Sequence, residues 1–191
     1  MSSNLWIAFD CETTGFLPEA RLLEIGAVAF RGDGAIVGEF QRLVQPPCPI
    51  PGFITELTGI THALLRDAEN AAIVLAEFWS WTPADAILVA HNIGFDLGVL
   101  ANEQPGQLRP LQRCVDSLSI ARQLGEFSDN RLNTIAVALG FPHDGRRHRA
   151  IHDAHVVRSL MLHAVSRGLE VRNPELFRGM PAASVLSLVR S

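Results

Sequence analysis

Three stretches of this chain put carboxylates where the surrounding pattern calls for apolar side chains. Asp10 and Glu12 follow the continuous apolar run Leu5–Phe9, which reads as a buried strand. Residues two apart on a strand point to the same face, so these two carboxylates stand side by side. In Phe95-Asp96-Leu97-Gly98-Val99-Leu100, Asp96 shares a helical face with Val99 and Leu100. In the third stretch, Asp153 precedes Val157, Leu160, Met161 and Ala164 on one apolar stripe. Crowded carboxylates repel, and burying any of them costs several kcal/mol unless something compensates. A cation is the simplest compensation, and hard oxygen ligands select Mg²⁺ or Mn²⁺ over zinc. A pair of such ions about 3.5–4 Å apart activates a water and stabilises the leaving oxygen of a phosphodiester.

A single aspartate in the first turn of a helix has a simpler explanation, because it is favourable with the helix dipole. Three independent elements, each aiming carboxylate inward, are harder to explain that way. His148 lies five residues before Asp153, among Arg146, Arg147 and Arg149. An imidazole there has a suitable pKa for a general base, and the arginines would attract phosphate.

The elements that must position these residues are legible as alternating patterns. Leu22–Phe30 and Ala35–Val44 are strand-like and joined at Arg31-Gly32-Asp33-Gly34, and four prolines between Pro46 and Pro51 then force a loop. Helical patterns cover Glu69–Trp81, Phe95–Asn102, Ser117–Leu124, Arg131–Leu139 and Asp153–Arg167, with a buried strand at Ala86–Ala90. Three strands followed by alternating helix and strand predict an α/β domain with a mixed sheet flanked by helices. The expected domain is residues 1–168. The tail 169–191, broken by Pro174, Gly179 and Pro181, is expected either to pack on it or to bind a partner.

Composition narrows the class. The 191 residues are 48% hydrophobic and 19% charged, which is globular and not disordered. Net charge is −4, which argues against a broadly basic DNA-coating protein but not against a nuclease whose acids bind cations. Cys11, Cys48 and Cys114 form neither a CxxC motif nor an even set, so neither a zinc site nor a disulfide framework is expected. No apolar run is long enough to cross a bilayer and no secretory signal is visible, so the expectation is a cytoplasmic protein with no membrane contact.

Three motifs, in order, resemble those of the DEDDh 3′–5′ exonucleases, a group that includes the proofreading epsilon subunit of bacterial DNA polymerase III. They are Phe9-Asp10-Cys11-Glu12-Thr13-Thr14-Gly15, His91-Asn92-Ile93-Gly94-Phe95-Asp96 and His148-Arg149-Ala150-Ile151-His152-Asp153-Ala154. Leu57-Thr58-Gly59-Ile60-Thr61 and Val115-Asp116-Ser117 are also similar to epsilon-type sequence. The resemblance implies a ribonuclease H-like fold with a five-stranded mixed sheet flanked by helices. It also implies two divalent cations, Mg²⁺ or Mn²⁺, held by Asp10, Glu12, Asp96 and Asp153, with Asp10 bridging both. His148 would deprotonate the attacking water and a nucleoside 5′-monophosphate would leave. Thr13 and Thr14 would meet the terminal 3′ hydroxyl. Asn92 and Phe95 resemble residues that line the nucleotide pocket, although Phe95 fits the core equally well, and Asp116 looks structural. Cys11 stands where the family commonly has an apolar residue, with its side chain expected to face away from the two acids. His152 and His155 are expected at the surface.

Three functions fit these residues. The first is a proofreading exonuclease acting on single-stranded or frayed 3′ ends of DNA beside a replicative DNA polymerase, which Leu57–Thr61 favours. The second is a free-standing DNA or RNA exonuclease in repair or RNA turnover. The third is an inactive nucleic-acid- or polymerase-binding module, disfavoured because every catalytic residue type is present. Leu176-Phe177 faintly resembles the end of a sliding-clamp-binding peptide, and packing of the two residues onto the domain is the favoured alternative.

Overall fold

The computed structural model describes residues 4–104, 112–141, 149–169 and 175–177. Strands β1 (Leu5–Thr13), β2 (Leu22–Arg31) and β3 (Ile36–Leu43) form an antiparallel meander. Strand β4 (Ile87–Ala90) lies parallel to β1, and β5 (Gln112–Asp116) lies parallel to β4. The five-stranded mixed sheet expected from the sequence is therefore present in the order β3-β2-β1-β4-β5. A sixth strand, β6 (Glu175–Phe177), extends it antiparallel to β5. The segment expected either to pack on the domain or to contact a clamp thus has its backbone at the sheet edge.

Strict alternation in β1 sends side chains to two cores. Ile7, Phe9 and Cys11 join one cluster with Val74, Leu75 and Phe78 of α2 (Ala71–Trp81) and Leu97, Val99 and Leu100 of α3 (Ile93–Glu103). Trp6 and Ala8 face the other way, onto Val157 and Met161 of α6 (Ala150–Ser166). On that side α4 (Ser117–Leu124) and α5 (Leu132–Ala138) complete the layer, with Ile135 packed on Val156 and Leu160. Each fully buried Leu, Ile or Phe stabilises by about 1.5–3 kcal/mol, so two such cores can hold several costly polar groups in place.

Some element limits differ from the sequence reading. Strand β1 does carry Asp10 and Glu12 beyond its apolar run, as their expected side-by-side placing requires, and ends at Thr13; the two acids pair with Gly26 and Glu24 of β2. Helix α6 begins three residues before Asp153. Beyond the proline-rich loop, α1 (Gly52–Thr58) was not expected; it begins directly after Pro51 and ends at Gly59, whose φ of 74° is the left-handed conformation that glycine adopts at least cost.

Candidate active site

The carboxylates meet at the C-terminal end of β1, and they arrive from both layers of the fold. Because Asp10 and Glu12 are two apart on a strand, both continue the face that carries α6. Asp153, in the first turn of that helix, joins them, and ligand oxygens of Asp10, Glu12 and Asp153 all lie within 4.8 Å of one another. Asp96 comes from the opposite layer, in the first turn of α3, and is 3% exposed. Its Oδ1 accepts a hydrogen bond from the Cys11 backbone N–H at 3.1 Å. The sequence therefore placed four acids at one strand end, three of them in a single tight cluster and the fourth abutting it from behind. Cys11 does face away from Asp10 and Glu12, as expected, but there its thiol meets Asp96 and hydrogen-bonds to it. The residue between the two acids is thus in contact with the third motif acid, not a neutral spacer.

The electrostatics record the crowding. Burial, followed by the charges of Asp96, Asp153, Glu12 and Glu24, raises the Asp10 carboxyl well above the ordinary range. Burial likewise pushes Asp96 up to about 8, helped by Glu12 and opposed by hydrogen bonds from its own backbone and from the Cys11 thiol and N–H. Carboxylates held so close, with oxygen donors only, fit a hard divalent cation, which would remove the repulsion that otherwise forces protons onto them. Divalent metal is thus the group that the donor set suits.

Asp10, Glu12 and Asp153 floor a cleft of about 270 Å³, whose remaining lining is Cys11, His91, Arg131, Leu132 and Asn133. The far wall is the start of α5, tied down by His91. Nε2 of His91 lies 2.7 Å from the Asn130 carbonyl oxygen, which can only accept, so Nε2 carries the proton. Nδ1, 3.0 Å from Ser117 Oγ, then accepts from the hydroxyl. Burial lowers the His91 pKa, in keeping with a neutral ring. Both ring nitrogens are committed, so His91 cannot take a proton from a nucleophile without losing a bond. His148, the expected base, lies outside the described residues.

Of the expected substrate residues, Thr13 and Thr14 are buried just beyond the acids. Thr13 Oγ1 donates to the Gly15 carbonyl at 2.8 Å, and Thr14 Oγ1 accepts from the Arg21 N–H at 3.0 Å, so both hydroxyls shape the loop after β1. Asn92 is exposed in the left-handed region (φ 66°) at the cap of α3. Phe95 is half-buried against the core, between the two roles open to it. Asp116 is structural in geometry, its Oδ1 accepting from the backbone of Asn92 and Leu118 and its Oδ2 from Ser119. His152 is exposed, edge-on to Phe141, and His155 is half-buried with Nε2 3.1 Å from Glu39 Oε1.

Glu24 and Gly26 were not anticipated. Gly26 pairs with Asp10 across the strands, and a Cβ there would fall within the backbone of α6, 2.6 Å from Ile151 Cα. Glu24 is fully buried in a strand that is otherwise apolar up to its last residue, Arg31. That is the same mismatch that singled out Asp10, and it was legible by the same rule.

A family model described as Exonuclease (RNase_T) matches residues 7–161, a span that includes Asp10, Glu12, Asp96 and Asp153. This chain belongs to the exonuclease family. The motif resemblance to DEDDh exonucleases agrees with that membership. The exonuclease is 34% identical over 168 residues to the PolC-type DNA polymerase III of Bacillus subtilis (strain 168), covering 85% of this chain and 11% of that protein. It is 36% identical over 171 residues to the PolC-type enzyme of Oceanobacillus iheyensis, covering 87% and 12%. It therefore spans roughly a tenth of the length of these relatives. In fold it is similar to the nuclease domain of 3′hExo, a DEDDh family member bound to rAMP, with a TM-score of 0.72, 22% identity and coverage of 92% and 98%. It is also similar to exonuclease X in complex with 5′ overhanging duplex DNA, with a TM-score of 0.70, 22% identity and coverage of 88% and 96%. Among the described residues, no helix of the exonuclease is long and apolar enough to cross a membrane.

Proposed function

We propose that this exonuclease removes nucleotides one at a time from the 3′ ends of DNA, as a proofreading nuclease of the epsilon type. The supporting observation is the meeting of Asp10, Glu12 and Asp153 within 4.8 Å on the floor of a cleft, with Asp96 buried behind them. In this reading the four acids hold two Mg²⁺ or Mn²⁺ ions, which when bound would help activate water and offset the charge that builds on the leaving oxygen. Asp10, whose carboxyl is crowded by Glu12, Asp96 and Asp153, would be one of the ligands that hold them. His148, five residues before Asp153 in the chain, would take the proton of the attacking water. Thr13 and Thr14 shape the loop that receives the terminal 3′ hydroxyl, and Asn92 and Phe95 border the nucleotide. Arg131, on the far wall, supplies positive charge to a strand that must approach an acidic floor.

The similarity to PolC-type polymerases favours DNA and a polymerase partner in the cytoplasm over a free-standing role in repair or RNA turnover. Residues 1–168 would suffice for catalysis. Clamp contact through Leu176 and Phe177 would have to accommodate a backbone already paired with β5. The deciding experiment incubates the protein with 3′- and 5′-labelled single-stranded DNA and RNA, in Mn²⁺ or EDTA. Stepwise loss of the 3′ label from DNA, abolished by EDTA, is expected. Release from the 5′ end, or undiminished activity in EDTA, would refute the reading. Faster cleavage of RNA would transfer support to the free-standing alternative.

A further inference from the structure

Glu24 sits with no exposed surface among Leu22, Leu23, Ile25 and Ala27, a position where a carboxylate is costly unless it is fully bonded. It is fully bonded. Its oxygens accept from Gln41 Nε2 at 2.7 Å, from Arg149 Nε at 2.9 Å and Nη2 at 2.7 Å, and from the Ala150 backbone N–H at 3.2 Å. Three of those four donors come from the start of α6, two from its cap residue Arg149 and one from Ala150. Ala150 opens the helix, and its N–H is one of the groups that an α-helix cannot satisfy internally. Arg149, the cap residue, makes no side-chain capping bond of its own. A carboxylate from β2 therefore caps α6 from across the fold, while the planar fork of Arg149 fixes its orientation.

The location matters more than the strength. Glu24 is the cross-strand partner of Glu12, and two residues further along β2 Gly26 is the partner of Asp10. The first turn of α6 rests directly on Gly26. The helix is thus held at two points, bonded at Glu24 and seated at Gly26, one turn before Asp153. We propose that Glu24 and Arg149 are positioning residues that set Asp153 against Asp10 and Glu12, and so set the affinity of the cluster for divalent metal. The idea rests on the metal reading above. Groups that orient metal ligands typically alter metal affinity or activity by about 10–100-fold when removed.

The test is titration of Mn²⁺ into the purified full chain, following free Mn²⁺ by electron paramagnetic resonance, with melting in EDTA measured alongside. Glu24→Gln and Arg149→Met are each expected to weaken Mn²⁺ binding about 10–100-fold. Arg149→Lys, which keeps the charge but not the fork, should fall between them and wild type. Turnover of the variants should recover towards wild type as Mn²⁺ is raised, moving the metal requirement more than the maximal rate. Mn²⁺ affinity within twofold of wild type in both Arg149 variants, whatever happens to melting, would overturn the proposal and leave the pair as support for the fold alone. Should Glu24→Gln not fold, the half-exposed Arg149 carries the test by the same criterion. Asp153→Asn serves as the control. If it abolishes Mn²⁺ binding while the Arg149 variants do not, only this proposal fails. If it binds Mn²⁺ like wild type, the metal reading itself falls and takes this one with it.

Discussion

Asp153 differs from Asp96 in what its replacement should do. Asp153 lies in the tight cluster with Asp10 and Glu12, so Asp153→Asn would remove a proposed ligand and relieve repulsion together. Single-turnover assays should show a loss of about 10²-fold or more, since bound ions supply several kcal/mol of charge stabilisation. Melting in EDTA should stay level or rise, and near-normal turnover would contradict the assignment. For His148→Ala the expected loss is about 10²–10⁴-fold, the usual scale for a general base. A drop below tenfold with no response to raised pH would remove His148 from that role. Asp96 predicts a pH effect. With its folded-state pKa near 8 against an ordinary 3.8, the metal-free native protein keeps a proton that the unfolded chain has released between those values. The native state then binds more protons, so this group's contribution to stability declines as pH rises from about 4 to about 8 and is level above that. Thermal melts in EDTA should show that decline for wild type and a smaller one for Asp96→Asn; equal slopes would argue against a protonated Asp96.

At the scale of elements, the contact between β2 and α6 is the feature with least tolerance. Gly26→Ala adds one methyl group where the backbone of Ala150 and Ile151 already lies. Backbone cannot rotate out of the way, so the helix must lift and Asp153 with it. Mn²⁺ affinity should fall at least tenfold, on the scale of other disturbed ligand supports, while far-UV circular dichroism stays helical; unchanged affinity would mean that the helix slides without moving Asp153. Much of this layout could be read from the chain beforehand. Strands β2 and β3, helices α2 to α6 and all four motif acids follow from periodicity and from charge appearing in apolar runs. Strand β5 escaped because Gln112-Arg113-Cys114-Val115-Asp116 has only two apolar residues and lies at the side of the sheet. Helix α1 is too short to display a period and hides behind prolines. The trans cap on α6 was invisible for a different reason: 125 residues separate Glu24 from Arg149, and no local pattern reports such a partnership.

For the whole molecule, the division of the acids between layers has a physical consequence. Three of them hang from the α6 side of the sheet and Asp96 from the α3 side, so an ion shared among them would rivet together the helical layers on its two faces. Amide hydrogen exchange with and without Mn²⁺ should then slow at the starts of both α3 and α6, although 56 residues lie between Asp96 and Asp153. Slowing at α6 alone would place the ion wholly on one side. If both respond, chelation loosens more than chemistry. Stripped of its ions, the nuclease would open along the seam where a 3′ terminus has to enter, and metal supply would govern the integrity of the jaws as well as their bite.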